Sequence, residues 1–234
     1  MKGFLTGLTL LIFILPLSAQ NIKPALTTGI GDTITEKPDS AYIRQLFYKG
    51  VIWRGLYYNI YGSEFLKTDD WIRGDIRIHG MFFKNTELKY DIFSDEILTN
   101  YYNKNIIILD KGSIEEFILY YKDDTLCFKR IFDHRELNGF YQIIYEGKSS
   151  LYKKWRKKRA QFAVEAKYDE FQDNNNLVLI SGNTAHIINN RKDLRNFYKD
   201  KKQLIKKYIK AEKLNIDLSS PKTLIPLIKY YDQI

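Results

Sequence analysis

The sequence predicts an α+β fold, a large curved antiparallel β-sheet of about 11–12 strands followed by C-terminal helices. Three observations carry that expectation. Between residues 41 and 190 the chain falls into short runs rich in β-branched and aromatic residues, joined by connectors too short for crossover helices. Tyr and Phe are abundant, at 18 and 14 of 234 residues, and both favour strands. After Arg191 the apolar spacing changes from two to three and four, the period of a helix.

The N-terminus reads as an address. Met1 and Lys2 precede an apolar run over residues 4–17, broken by Pro16 and closed by Ser18-Ala19 before Gln20. A basic start, a short apolar core and a small-residue exit describe a secretory signal peptide, cleaved near Ala19. The run is shorter than the roughly 20 apolar residues that span a bilayer. Residues 20–40, with Pro24, Gly29, Gly31 and Pro38, read as an extended lead-in. The Gly29-Ile30-Gly31-Asp32 stretch has no strand before it and is no phosphate loop.

Residues 41–190 form the expected β domain. Asp75-Ile76-Arg77-Ile78 and Leu88-Lys89-Tyr90-Asp91-Ile92 alternate with period two. Further strands are expected over 105–109, 117–121, 125–131, 140–145, 161–168, 177–180 and 185–188. Turn residues such as Asp110-Lys111-Gly112 and Ser181-Gly182-Asn183 separate them, so neighbours should pair antiparallel. Residues 191–234 form the helical segment. A short helix over 191–197 precedes one over 201–214, with Asp200 as N-cap, Gln203 completing a capping box, and Leu204, Ile205, Tyr208 and Ile209 as buried stripe. Ser219-Ser220-Pro221 opens a last helix, which Pro226 kinks or delays.

Charge narrows the partners. The chain carries +9, about +8 on the 215 residues left after cleavage. Export argues against nucleic acid, which leaves lipid head groups, cell-wall carboxylates and acidic proteins as anions. Cys127 is the single cysteine, so no intramolecular disulfide forms, and no cysteine follows the leader to take a lipoprotein anchor. Cys127 alternates with Leu126 and Phe128, as a packed strand residue does.

Two basic clusters are candidate anionic-surface or partner sites. On a helix over 201–214, Lys202, Lys206, Lys210 and Lys213 fall within an arc of roughly 80°. Like charges repel there, which suits a docking stripe; a solvated face whose lysines cover apolar neighbours is the plainer alternative. The second cluster is Leu151-Tyr152-Lys153-Lys154-Trp155-Arg156-Lys157-Lys158-Arg159. Read as one strand, neither face can be a core, so an edge strand protected by lysines is expected. Trp155 amid cations offers the alternative of an anchor at a membrane interface.

Catalytic patterns are sparse. His79, His134 and His186 lack metal-ligand spacing, and Asp133-His134-x-Glu136 is a polar loop. Asp91, Asp95 and Glu96 cluster between two expected strands, where solvated turn carboxylates are common, although a carboxylate pair could hydrolyse glycosides. No metal or cofactor site is expected.

Gly62-Ser63-x-Phe65-Leu66, Trp71-x-x-Gly74, Gly80-x-x-Phe83 and Leu88-Lys89-Tyr90-Asp91 through Asp95-Glu96 form a sequential pattern. It continues with Arg191-Lys192-Asp193-Leu194, Asp200-Lys201-Lys202, Tyr208-Ile209-Lys210, Lys213-Leu214 and Leu227-Ile228-x-Tyr230-Tyr231. The pattern resembles a group of small exported proteins common in Bacteroidota. The resemblance implies a periplasmic or outer-membrane-facing setting and carries over no catalytic residue. The functional expectation is therefore a non-enzymatic envelope protein that docks an anionic membrane surface or an acidic envelope protein through its basic residues. A carrier holding a lipid or other apolar ligand on the curved sheet is the alternative, and a cell-wall hydrolase a third reading.

Overall fold

Alternation in the chain becomes a sheet wherever a tight turn lets two runs pair. His79-Gly80, both at positive φ, turn one strand into the next, and Gly182 does the same later in the chain. A computed structural model describes residues 40–55, 57, 59–102, 105–134, 137–161 and 169–234, with the backbone alone at 133 and 134. The leader expected over 1–19, the lead-in through residue 39, all but the first residue of the strand expected over 161–168, and the Asp133-His134-x-Glu136 side chains lie outside the described residues.

The elements run α1 (Ser40–Phe47), β1 (Gly50–Ile52), β2 (Ile60–Tyr61), β3 (Ile72–Ile78), β4 (Met81–Asp91), β5 (Glu96–Tyr101), β6 (Asn105–Leu109), β7 (Ile114–Tyr121), β8 (Asp124–His134), β9 (Leu137–Tyr145), β10 (Ser149–Lys154), β11 (Lys157–Ala160), β12 (Asp169–Asp173), β13 (Asn176–Ser181) and β14 (Thr184–Ile188). The helices α2 (Arg191–Phe197), α3 (Lys202–Ala211) and α4 (Ile225–Gln233) follow. Eleven strands form one antiparallel sheet in the order β1-β6-β5-β4-β3-β7-β8-β9-β10-β13-β14. A small second sheet has the order β11-β12-β2, with β12 and β2 parallel. The α+β architecture with C-terminal helices is as expected, and Pro38–Ile234 form one compact unit.

The large sheet curls. Tyr90 on β4 lies edge-on to Phe140 on β9, with ring centroids 6.0 Å apart, although three other strands separate β4 from β9 in the sheet. Between them Phe117 and Phe128 stack at 4.6 Å. These rings are buried and fill the concave face together with Ile76, Leu88 and Leu119. The helices pack elsewhere. Leu151, Leu177, Leu179 and Ile188 from β10, β13 and β14 meet Leu194, Ile205, Leu224, Leu227 and Ile228.

Several local expectations are corrected. The start of the β domain is helical: Ile43, Leu46 and Phe47 lie on one side of α1, and Phe47 enters the core. The capping box belongs to α2. Asn190 accepts from the Lys192 and Asp193 backbone N–H groups at 2.8 and 3.1 Å, and Asp193 accepts from Asn190 N–H at 3.2 Å. Asp200 instead lies in a 3₁₀ turn (Lys199–Lys201), and α3 starts at Lys202 with no side-chain cap. Leu204 stands 48% exposed, outside the buried stripe. Pro226 sits in the first turn of α4 after a 3₁₀ turn over Pro221–Leu224, so the last helix starts late.

Candidate functional site

The helical segment concentrates the protein's charge. Residues 191–234 carry twelve basic residues against five acidic ones, a surplus of seven within a net +9. Among the described residues none of those twelve is ion-paired, whereas the sheet's cations find carboxylates: Arg73 with Glu87, Arg77 with Glu115 and Glu116, Lys129 with Glu146. Residues 40–190 are close to balance, with 22 basic and 20 acidic residues, and the helical segment is not.

Between the helices lies a groove of about 350 Å³. Its floor is apolar: Leu194 from α2 and Tyr198 capping its C-terminus, Ile205 and Ile209 from α3, Leu214 and Ile216 from the connection, Leu227 from α4. Its rim is cationic: Arg191, Arg195, Lys202 and Lys206, all exposed. No carboxylate lines it. Arg191 is held at the mouth, its guanidinium donating to the Ile216 carbonyl at 3.1 Å. Geometry of the chain ending builds one wall. The Leu214 N–H donates to the Ile209 carbonyl at 3.0 Å and Lys213 N–H to Lys210 at 3.4 Å, a Schellman ending that folds Leu214 back over α3. The ending requires Lys213 in the left-handed region, φ 48°.

A second polar centre sits where the curled sheet closes on itself. Asp95, left-handed at φ 60° in the turn after β4, receives the ammonium groups of Lys154 at 2.6 Å and Lys111 at 2.5 Å, and the Tyr90 hydroxyl at 2.6 Å. Lys154 also donates to the Phe140 carbonyl at 2.9 Å. Burial would raise Asp95, but the Lys154 charge and the hydrogen bonds from Lys111, Lys154 and Tyr90 outweigh it and hold the carboxyl below its ordinary range. Burial pulls Lys154 down to about 8 against the attraction of Asp95, which leaves the pair ionised at neutral pH. Gly139 makes room: a Cβ there would lie 1.9 Å from Asp95 Oδ2, at a φ of +113°. Lys154 is 2% exposed, so its ammonium faces protein, while Lys111 at the outer side of the cluster is partly exposed.

The sequence-predicted residues divide between these places. Lys202 and Lys206 rim the groove; Lys210 is exposed at the last turn of α3, and Lys213 leaves the helix, which ends at Ala211. The run from Leu151 to Arg159 is not one edge strand. Its first half is β10, an interior strand between β9 and β13 with Leu151 and Tyr152 buried on opposite sides. Trp155 and Arg156 break the strand, so the phase of alternation is lost there. Lys154 is no surface cation but the buried partner of Asp95. Lys153 stacks on Trp155 at 3.6 Å, and Trp155 packs on the core and donates to Gln142 at 2.8 Å. Arg156 is exposed; Lys157 reaches the Ser63 carbonyl. Lys158 is exposed on β11, the true edge, in the small sheet.

Asp91 and Asp95 are not solvated turn residues. Asp91, 1% exposed, accepts from the Phe93 and Ser94 N–H groups at 2.8 and 2.9 Å. His79 occupies a turn and His186 packs edge-on to Phe197. Cys127 is half-buried on β8, and burial raises its thiol. Sequence reading missed Arg191 and Arg195, although their four-residue spacing beside Leu194 and Tyr198 marks one helix face. Among the described residues no three of His, Cys, Asp and Glu gather as a metal-binding group, and no helix is long and apolar enough to cross a membrane. Comparison with protein-family models, curated proteins and solved structures finds no match to this chain.

Proposed function

We propose that this is an exported protein of the Gram-negative cell envelope, released by cleavage near Ala19, that docks on anionic membrane surfaces through its C-terminal helices. The observation that carries the reading is the unpaired surplus of seven positive charges on residues 191–234. A cation near an anionic bilayer contributes about 1 kcal/mol, so the four rim residues contribute about 4 kcal/mol together. The attraction acts within a Debye length and fades as salt rises. The apolar run over residues 4–17 and the resemblance to exported Bacteroidota proteins support the setting.

The test is charge reversal at Arg191, Arg195, Lys202 and Lys206. Wild type should sediment with vesicles containing phosphatidylglycerol at low salt, and not with zwitterionic vesicles. The fourfold Glu variant should stay in the supernatant; sedimentation equal to wild type would remove the proposal. Retained binding to an acidic envelope protein alone would move the role from lipid to protein.

The carrier reading keeps a foothold, in a different place from the one expected. The concave sheet face is packed with Tyr90, Phe117, Phe128 and Phe140, whereas the helical groove offers an apolar floor. A hydrolase is not proposed, because Asp91 and Asp95 are engaged by their own turn and by Lys154 and Lys111.

A further inference from the structure

We infer that the groove between α2, α3 and α4 is a binding site for a single acyl chain ending in an anionic head, the chain on the floor and the head among the rim cations. The inference rests on the same cationic rim as the docking reading, but adds a ligand to the floor beneath it. Two features of the groove point to that chemistry. The floor is made of Leu194, Ile205, Ile209, Leu214, Ile216 and Leu227, with Tyr198, and is mostly hydrocarbon and ring, with Asn215 and the Tyr198 hydroxyl, unpartnered among the described residues, as its polar groups. The rim is of one sign, Arg191, Arg195, Lys202 and Lys206, with no carboxylate among the lining residues. An apolar ligand without charge would leave four cations unmatched, and a compact anion would leave the floor wet. An amphiphilic anion satisfies both.

Size limits the ligand. The groove is small, about 350 Å³, close to the lower bound for small-molecule sites, roughly 300–1,000 Å³. That suits one short acyl chain, not the two chains of a bilayer phospholipid. The head is met by two kinds of donor. Arg191, already oriented by its bond to the Ile216 carbonyl, presents a planar fork suited to carboxylate or phosphate, and the lysines add mobile point charges.

The experiment uses the mature full-length protein and dodecanoate below its micelle-forming concentration, read by titration calorimetry and by methyl chemical shifts. Saturable one-to-one binding is expected, with shifts confined to the floor methyls of Leu194, Ile205, Ile209, Leu214, Ile216 and Leu227. Affinity should fall about three- to fourfold for each methylene removed between dodecanoate and octanoate. Dodecyltrimethylammonium, with the same chain and the opposite charge, should bind at least tenfold more weakly. Ile209→Trp, which fills the floor, should lose dodecanoate binding while still sedimenting with anionic vesicles. Tighter binding of a monoacyl phosphatidylglycerol than of dodecanoate would assign the chain to a lipid, and the reverse to a free fatty acid. Absence of saturable binding, or equal binding of the cationic amphiphile, overturns the inference. If the Ile209→Trp chain fails to fold, the wild-type shift map decides alone, since shifts outside the groove refute the site. Vesicle binding without dodecanoate binding defeats this inference and leaves docking standing; dodecanoate binding without vesicle binding does the opposite.

Discussion

Replacing Asp95 by Asn asks how much the buried ion pair contributes to the curled sheet. The carboxylate draws together Lys154 on β10, Lys111 before β7 and Tyr90 on β4. A neutral amide in its place leaves the Lys154 ammonium, 2% exposed, without a counter-charge, facing only neutral oxygens such as the Phe140 carbonyl. Breaking a buried pair on one side costs about 3–5 kcal/mol. For a domain of this size each kcal/mol lowers Tm by about 2–4 °C, so Tm should fall by about 6–20 °C. Lys154→Met should cost less, about 1–3 kcal/mol, because Asp95 keeps Lys111 and Tyr90 as partners. The double variant removes both buried charges together and should be less destabilised than the sum of the singles. Thermal and urea unfolding of the four proteins gives the cycle. Strict additivity, or a loss under about 1 kcal/mol for Asp95→Asn, would refute the argument that this contact holds β4 against β9 and β10.

Other outcomes follow from the same contacts. Gly139→Ala should destabilise at least as much as Asp95→Asn, since its Cβ would displace the carboxylate and its φ of +113° disfavours any side chain; calorimetry checks it. The acid limb of stability has a defined sign. Asp95 is held below its ordinary range, so its contribution is complete above about pH 3.9 and is lost as pH falls through the folded value. The stability gap between wild type and Asp95→Asn should therefore shrink in acid, and a constant gap would contradict it. Lys213→Gly should stabilise by about 1 kcal/mol, because glycine adopts the left-handed ending of α3 without strain; chemical denaturation measures this directly.

Most of the sheet could be read from the chain because its signals are local. Ile72, Gly74, Ile76 and Ile78 alternate inward on β3, and the β3–β4 and β13–β14 turns carry their own left-handed residues. What escaped were features set by partners distant in sequence. Nothing near Lys154 indicates that Asp95, 59 residues earlier, will bury it. Alternation across Leu151–Arg159 looked continuous because a break at Trp155-Arg156 leaves no Gly or Pro. At α1 the signal was present in Ile43, Leu46 and Phe47, but eight residues are few against a long β pattern. The lysine stripe is shorter on the helix for a similar reason: an ideal helical wheel extends past Ala211, while the chain turns at Lys213. The capping box went to Asn190 and Asp193 because α2 starts directly after β14, whereas Asp200 lies inside a 3₁₀ turn that runs straight into α3 and makes no side-chain cap.

Hydrogen–deuterium exchange of the protein, with and without phosphatidylglycerol vesicles, tests the central claim most directly. Docking through the helices predicts slowed amide exchange over residues 191–216, absent with zwitterionic vesicles and reversed by high salt, with β3, β7 and β8 unchanged. Protection centred on the sheet, or none at all at low salt, would contradict it.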